Sequence, residues 1–251
     1  MQAVILAAGR GTRLGNITRT RPKGLIEVGG KSLLARSLDC LAAAGVATAV
    51  LVTGYKGPMI ARTLGNQHAG MRLRYIENPK FATTGSMVSL YLARPAVTKG
   101  PLLVLESDLL YDPRFVTAAL RARGTVLMAA AATGSGDEVY LCVKNGTRLD
   151  YLGKAAGAGE RARAVGEFAG ISRLSGAFFA RFCAEVEQAL ARGAAGDHYE
   201  EVFWRLAQRG ARVRVEAHRD WPWTEVDTPS DLARARTRIW PRIKAMTEET
   251  P

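Results

Sequence analysis

The chain has 251 residues and a formal net charge of +12, from 35 Lys and Arg against 23 Asp and Glu. No run approaches the ~20 apolar residues of a membrane helix, and Met1-Gln2-Ala3-Val4 leads straight into a strand pattern without a signal peptide, so a cytoplasmic protein with no membrane insertion is expected. Cys40, Cys142 and Cys183 are widely spaced and lack metal-site spacing, which excludes a disulfide framework and points to buried thiols in a reducing compartment.

Residues 3–6 read as a short buried strand that breaks into Ala7-Ala8-Gly9-Arg10-Gly11-Thr12. Residues 32–44 form an amphipathic helix with Leu33, Leu34, Leu38 and Leu41 on one face, stopped at Gly45. The apolar run 47–52 marks a strand buried on both faces. A helix at 58–64, a strand at 72–76 and a short helix at 86–93 follow, the last with Ser86 as its N-cap. Residues 102–106 are another buried strand, ending in Ser107-Asp108; a helix at 113–121 and a strand at 125–131 come next. This alternation predicts a mostly parallel sheet with helices on both faces, its ligands at the carboxyl ends of the strands.

The second half changes character. Segments 139–143 and 148–153 flank Asn145-Gly146, a strong hairpin signal. Residues 155–164, small and charged, read as a mobile loop, and 166–174 as a strand returning to the sheet. Helices are expected at 176–190 and 199–208, the latter with Val202, Phe203 and Leu206 in the core. A strand at 212–217 and a terminal helix at 228–246, entered through Thr228-Pro229, close the chain, with 247–251 frayed. The fold class is α/β, a mixed, mostly parallel central sheet with a small hairpin insertion. One domain is expected over 1–251, with a nucleotide-binding half to about residue 135 and an acceptor-binding half from about 136.

The stretch from Val4 to Lys23 carries the clearest chemistry. Its small residues let a ligand approach the main chain, and successive N–H groups in such a turn form a concavity for anions. Arg10, Arg13, Arg19, Arg21 and Lys23 add positive charge, and Pro22 fixes the chain before the lysine. The loop is built for a polyphosphate. It is not the dinucleotide fingerprint, because Leu14 stands where the third glycine belongs and the second strand ends Val52-Thr53-Gly54 without its acidic residue. Nor is Gly30-Lys31-Ser32 a P-loop, since the first glycine would fall on Leu25. The arginines are scattered and no basic run alternates with aromatics, so no nucleic-acid partner is expected; anionic small molecules account for part of the charge.

The pattern Leu6-Ala7-Ala8-Gly9-Arg10-Gly11-Thr12-Arg13-Leu14 followed by Pro22-Lys23 resembles the signature of nucleotidyltransferases that join a nucleoside triphosphate to a phosphorylated small molecule. The resemblance implies a Rossmann-like nucleotidyltransferase fold whose loop wraps the triphosphate, with Lys23 against the phosphates. From the residues alone, Asp108 could be a turn former and Asp227 an N-cap neighbour. The resemblance implies instead that both hold Mg²⁺, which takes one or two carboxylates and completes its shell with phosphate and water. Residues 77–93 look like the base-site segment of phosphocholine and 2-aminoethylphosphonate cytidylyltransferases, implying CTP as donor with Thr84, Ser86 and Ser89 around the base.

The chemistry needs no special nucleophile, because the acceptor oxygen is already anionic. Lys23 would neutralise charge growing at the α-phosphate and Arg13 would hold the β and γ groups. His68, His198 and His218 show no partner pattern and read as surface or structural. For the acceptor's far end, Tyr199 and Trp204 could supply aromatics for a quaternary ammonium, and Glu138, Glu167, Glu200 and Glu201 carboxylates for a primary one. Asp137, Trp221 and Trp223 are further candidates. Asp197-His198-Tyr199 resembles a segment of phosphocholine enzymes, but Glu200 stands where they place an aromatic, which favours 2-aminoethylphosphonate. The alternative is a sugar- or polyol-1-phosphate nucleotidyltransferase using CTP or UTP. A homodimer is compatible with either.

Overall fold

The computed structural model describes residues 1–248; of the tail expected to fray, 249–251 lie outside the described residues. Strand β1 (Gln2–Ala7) runs into the glycine-rich loop, followed by a short helix, α1 (Asn16–Thr20). A miniature hairpin, β2 (Glu27–Val28) and β3 (Lys31–Ser32), turns on Gly29 and Gly30 at φ 59° and 77°, the positive values that a two-residue turn of this hand requires. Helix α2 (Leu33–Ala43) is capped by Ser32, whose Oγ accepts from the Ala35 N–H, and buries the four leucines read from the sequence.

The alternation continues through β4 (Thr48–Thr53), α3 (Gly57–Leu64), β5 (Gln67–His68), β6 (Met71–Glu77), α4 (Ser86–Leu92) and β7 (Leu102–Glu106). Then come β8 (Leu109–Tyr111), α5 (Arg114–Arg121), β9 (Thr125–Ala130), β10 (Tyr140–Lys144) and β11 (Arg148–Gly153). The chain ends in α6 (Ala158–Arg163), β12 (Ala164–Leu174), α7 (Gly176–Ala191), α8 (Tyr199–Gln208), β13 (Val213–Ala217), β14 (Trp223–Glu225), α9 (Pro229–Arg234) and α10 (Trp240–Glu248). A π-helical turn at Ala235–Ile239 joins the last two into one run.

Strands β6, β4, β1 and β7 are mutually parallel; β4, β1 and β7 are apolar and buried on both faces, whereas β6 alternates buried Met71 and Leu73 with exposed Arg72 and Arg74. Strand β12 lies antiparallel between β7 and β9, and β9 pairs in parallel with β13. Because β10 pairs with both β11 and β12, and β11 reaches β13, β9 and four strands of the second half close into a ring. One core layer packs α4, α7 and α8 on one face of the sheet, and a second packs α2, α3 and α5 on the other. A third, smaller cluster joins Leu14, Ile26, Leu110, Val226 and Leu232.

Three local expectations are corrected. The loop expected at 155–164 carries α6, because Gly157 offers an extended entry and the Arg161 Nε ties the turn by donating to Ala156 O. Ser86 is not the cap of α4: Gly85 holds that place, where a Cβ would run into Asp197 O, and the Ser86 Oγ instead accepts from the Tyr199 N–H at 3.1 Å. The tail is helical through Glu248, two residues beyond the expected stop. Among the described residues, no helix is long and apolar enough to cross a membrane.

Candidate active site

A cavity of about 290 Å³ opens at the carboxyl ends of β1 and β7. One wall is the loop after β1. Gly11 sits at φ +62°, and a Cβ there would meet Thr18 Cγ2 at 3.1 Å and Lys23 Cβ and Cδ at 3.3 Å, so the glycine lets the loop fold over the lysine stem. The loop carbonyls are tied down: Gly11 O accepts from Thr18 Oγ1 and Leu14 N, and Ala8 O from Tyr55 N. Leu6, Ala8, Gly9, Gly11, Arg13 and Lys23 line the cavity, whereas two expected nucleotide-binding residues do not: Ala7 packs into the core and Thr12 is exposed.

The floor is set by a contact that the sequence does not announce. Strands β8 and β14 pair antiparallel, Leu109 opposite Glu225, and the Val226 N–H donates to Asp108 O at 3.0 Å. Asp108 and Asp227 thereby become neighbours, and the Lys23 ammonium bonds to both. Thr228 caps α9 reciprocally with Asp231, whose Oδ2 also accepts from the Asp227 N–H, fixing the second aspartate. Arg13 bridges Asp227 at 2.7 Å and Asp137 at 2.5 Å, and Lys154 reaches Asp137 at 2.7 Å. Burial would lower the Lys23 pKa, but Asp108 and Asp227 together outweigh it and raise it, so the lysine is a fixed cation.

No group of three or more metal-ligating side chains gathers among the described residues. The two aspartates nonetheless fit a hard cation, because Asp108 Oδ1 is buried in the cavity floor without a hydrogen-bond partner. Two carboxylates with one open oxygen suit an ion that takes the rest of its shell from phosphate and water.

Beside the aspartates lies a wall of carboxyl groups. Burial, then the charges of Asp108 and Glu200, lift Glu106 to about 8, although the Tyr199 O–H donates to it at 2.8 Å. Burial and the nearby Glu106, Asp108 and Asp227 hold Glu225 well above the usual range. Burial raises Glu167 to about 7 despite a bond from the Thr133 N–H, and it raises Glu200, whose Oε2 is buried without a partner. The opposite wall is ordered by Asn78, 1% exposed, which donates through Nδ2 to Thr84 Oγ1 and Ser89 Oγ, both at 3.1 Å. Ser86, Gly85 and Phe81 complete it.

Glu167 and Glu200 thus reach the cavity, as expected of acceptor-binding residues, and four other candidates do not. Tyr199 is fully buried behind the wall and holds Glu106. Glu201 spends its carboxylate on the His198 N–H as the cap of α8. Trp204 turns inward against Tyr151, with ring centroids 5.8 Å apart. Glu138 folds back onto the Gly136 N–H, leaving Asp137 and Val139 to line the site. His198, expected to be surface or structural, lines the cavity and shares a hydrogen bond with Ser86 Oγ. Glu106, Glu225 and Lys154 escaped the sequence reading. The first two had a signal: each stands two residues before a site aspartate, and alternate strand residues share a face.

Residues 3–175 match the family described as the MobA-like NTP transferase domain, and the chain belongs to that family. It is 34% identical over 248 residues to a CMP-5'-(3-aminopropyl)phosphonate synthase of Streptomyces rubellomurinus, covering 96% of this chain and 39% of that protein. It is 26% identical over 207 residues to a 2-aminoethylphosphonate cytidylyltransferase of Lancefieldella rimae, covering 80% of this chain and 76% of the relative. In fold it matches the inositol-1-phosphate CTP transferase of T. maritima with a TM-score of 0.79 at 19% identity, over all of this chain and 97% of that one. The chain spans less than half the length of the first relative.

Proposed function

We propose that the protein transfers CMP from CTP to a small phosphonate or phosphate bearing a primary amine, releasing pyrophosphate. The observation that carries this reading is Lys23 held between Asp108 and Asp227, with the glycine-rich loop on one side and the Glu106–Glu200–Glu225 carboxyl groups on the other. The names of the two sequence relatives support the donor and the acceptor class.

The acceptor's anionic oxygen attacks the α-phosphorus of CTP; the new O–P bond forms as the bond to the β-phosphate oxygen breaks, and pyrophosphate carries away the electron pair. No proton has to move, so the chain's work is positioning and charge neutralisation. Lys23 meets charge on the α-phosphate, Arg13 lies over the β and γ groups, and Thr84, Ser86 and Ser89 face the base. Asp108 and Asp227 would hold Mg²⁺, which supplies charge neutralisation to the reacting phosphates when bound.

The carboxyl wall suits an ammonium group. Glu200 Oε2 lacks a partner, and a cation there would offset the charges that crowd Glu106 and Glu225. Of the lining residues only Phe81 is Phe, Tyr or Trp, too little for an aromatic cage, which favours a primary over a quaternary amine. A second reading rests on the same raised groups: a carboxyl protonated at neutral pH donates a hydrogen bond, which suits the hydroxyls of a polyol phosphate.

The test is pyrophosphate release across four nucleoside triphosphates, with 2-aminoethylphosphonate, phosphocholine, inositol 1-phosphate and a sugar 1-phosphate as acceptors. CTP with 2-aminoethylphosphonate should give the highest kcat/KM. A preference for inositol 1-phosphate would install the polyol reading, and the absence of turnover with any CTP pair would remove both.

A further inference from the structure

We infer that a second, arginine-lined cleft at the opposite end of the sheet binds a small polyphosphate anion. The cleft, of about 850 Å³, lies at the amino-terminal ends of β9 and β13 and is lined by Arg121, Arg123, Arg148, Arg212 and Arg214. Its size is that of a small-molecule pocket. None of the five arginines has a carboxylate within ion-pair distance among the described residues. Glu216 is the one acidic residue in the lining.

The arrangement is imposed by strand register. Arg173 on β12 stands opposite Val126 of β9, Val126 opposite Arg214 of β13, and Arg214 opposite Arg148 of β11. Residues directly opposite one another project from the same face, so the sheet sets Arg214 and Arg148 side by side in the cleft, with Arg173 in the same row just outside its lining. Like charges directly opposite are destabilising, and among the described residues the row has no ion pair, only two main-chain acceptors: Arg214 Nη2 donates to Arg123 O at 2.8 Å and Arg173 Nη1 to Gly124 O. Those bonds aim the forks at the turn through Gly124, which enters β9 at φ +76°.

Several guanidinium forks converging on one concavity match the oxygens of linked phosphates. No aromatic side chain lines the cleft, so stacked bases of a nucleic acid would find no platform. Met1 is the one exposed large hydrophobic residue among those described, so no apolar rim would enter a lipid surface. The ligand that fits this open, arginine-lined cleft is therefore a tripolyphosphate, a pyrophosphate or the phosphate chain of a nucleotide. The six residues of β9 put the cleft roughly 17 Å from the catalytic wall, where Glu167 pairs with Ala130, so the two sites are separate.

The probe is inorganic tripolyphosphate added to the full chain, read by hydrogen-exchange mass spectrometry with a calorimetric titration alongside. Protection is expected at residues 122–127 and 211–216, apart from any at the 8–15 loop. In an Arg148→Gln, Arg214→Gln double variant the cleft protection should vanish, and that site's affinity should weaken at least tenfold while the loop signal stays. Should that variant fail to fold, Arg148→Lys with Arg214→Lys keeps the charge, loses the forks and should also weaken the cleft site. Protection confined to the 8–15 loop, cleft protection unchanged in the variant, or a polyglutamate or DNA duplex that protects the cleft at lower concentration than tripolyphosphate would each overturn the inference.

Discussion

Lys23 is 14% exposed and sits between two carboxylates, so its removal and theirs have different consequences. Asp108→Asn or Asp227→Asn takes away half of the carboxylate pair while leaving the lysine a partner. Turnover should fall about a hundredfold or more, roughly 2.7 kcal/mol in the barrier, with the melting temperature nearly unchanged. Steady-state pyrophosphate release and a thermal melt check both halves, and wild-type rates would remove the metal assignment. Lys23→Ala instead leaves Asp108 without its cation and Asp227 with Arg13 alone. It should lower kcat more than it raises the KM for CTP, as expected of a contact that strengthens in the transition state, and should lower the melting temperature as well. A change confined to KM would make Lys23 a binding residue. Glu200→Gln keeps the shape of the wall and removes its charge: kcat/KM for an aminophosphonate should drop about ten- to a hundredfold, since a hydrogen bond to a charged group contributes roughly 1.5–3 kcal/mol, whereas a polyol acceptor should lose little.

The glycine-rich loop works as an element because two of its glycines do different things. Gly11 and Gly15 both lie at positive φ, but only at Gly11 would a Cβ press on Thr18 and the Lys23 stem; Gly15 faces open space. Alanine at either position should destabilise by about 1–2 kcal/mol from backbone strain alone. Only Gly11→Ala should also cut kcat, by about tenfold or more, because it shifts the lysine. Equal activity in the two variants would show that the loop does not position Lys23. The β8–β14 ribbon is the other element that makes the site. With only three residues in each strand, it holds the two aspartates together only because Leu110 and Val226 are buried in the cluster beneath it.

Across the whole molecule, the carboxyl wall makes stability depend on pH. Glu106 and Glu167 are raised to about 8 and about 7, so in the ligand-free protein they keep protons that the unfolded chain has already released. Stability from these groups is fully present below their unfolded pKa, near 4.5, and is lost as pH rises through 7 and 8. The melting temperature should therefore fall between pH 5 and pH 8, and Glu106→Gln should flatten the slope. A melting temperature that rises over this range, or a slope unaffected by the substitution, would contradict the assignment of Glu106 as the raised group.

What the chain determines by itself is local. The glycine-rich loop, the leucine face of α2, the apolar strands and the Asn145-Gly146 hairpin follow from spacing within a few residues, where periodicity and turn chemistry act. Lys23 and the site aspartates were legible because they sit at the ends of such elements. The tertiary structure decided which side chains share a cavity. Strands β8 and β14 are too short to carry a periodic signal, yet their pairing joins Asp108 to Asp227 across more than a hundred residues. The same holds for α8. Its sequence offers Tyr199, Glu200, Glu201 and Trp204 alike, but only packing against α4 and β11 turns Glu200 to the cavity, Tyr199 to Glu106 and Trp204 to Tyr151. Helical spacing assigns residues to faces; what each face meets depends on long-range contacts that no local pattern encodes.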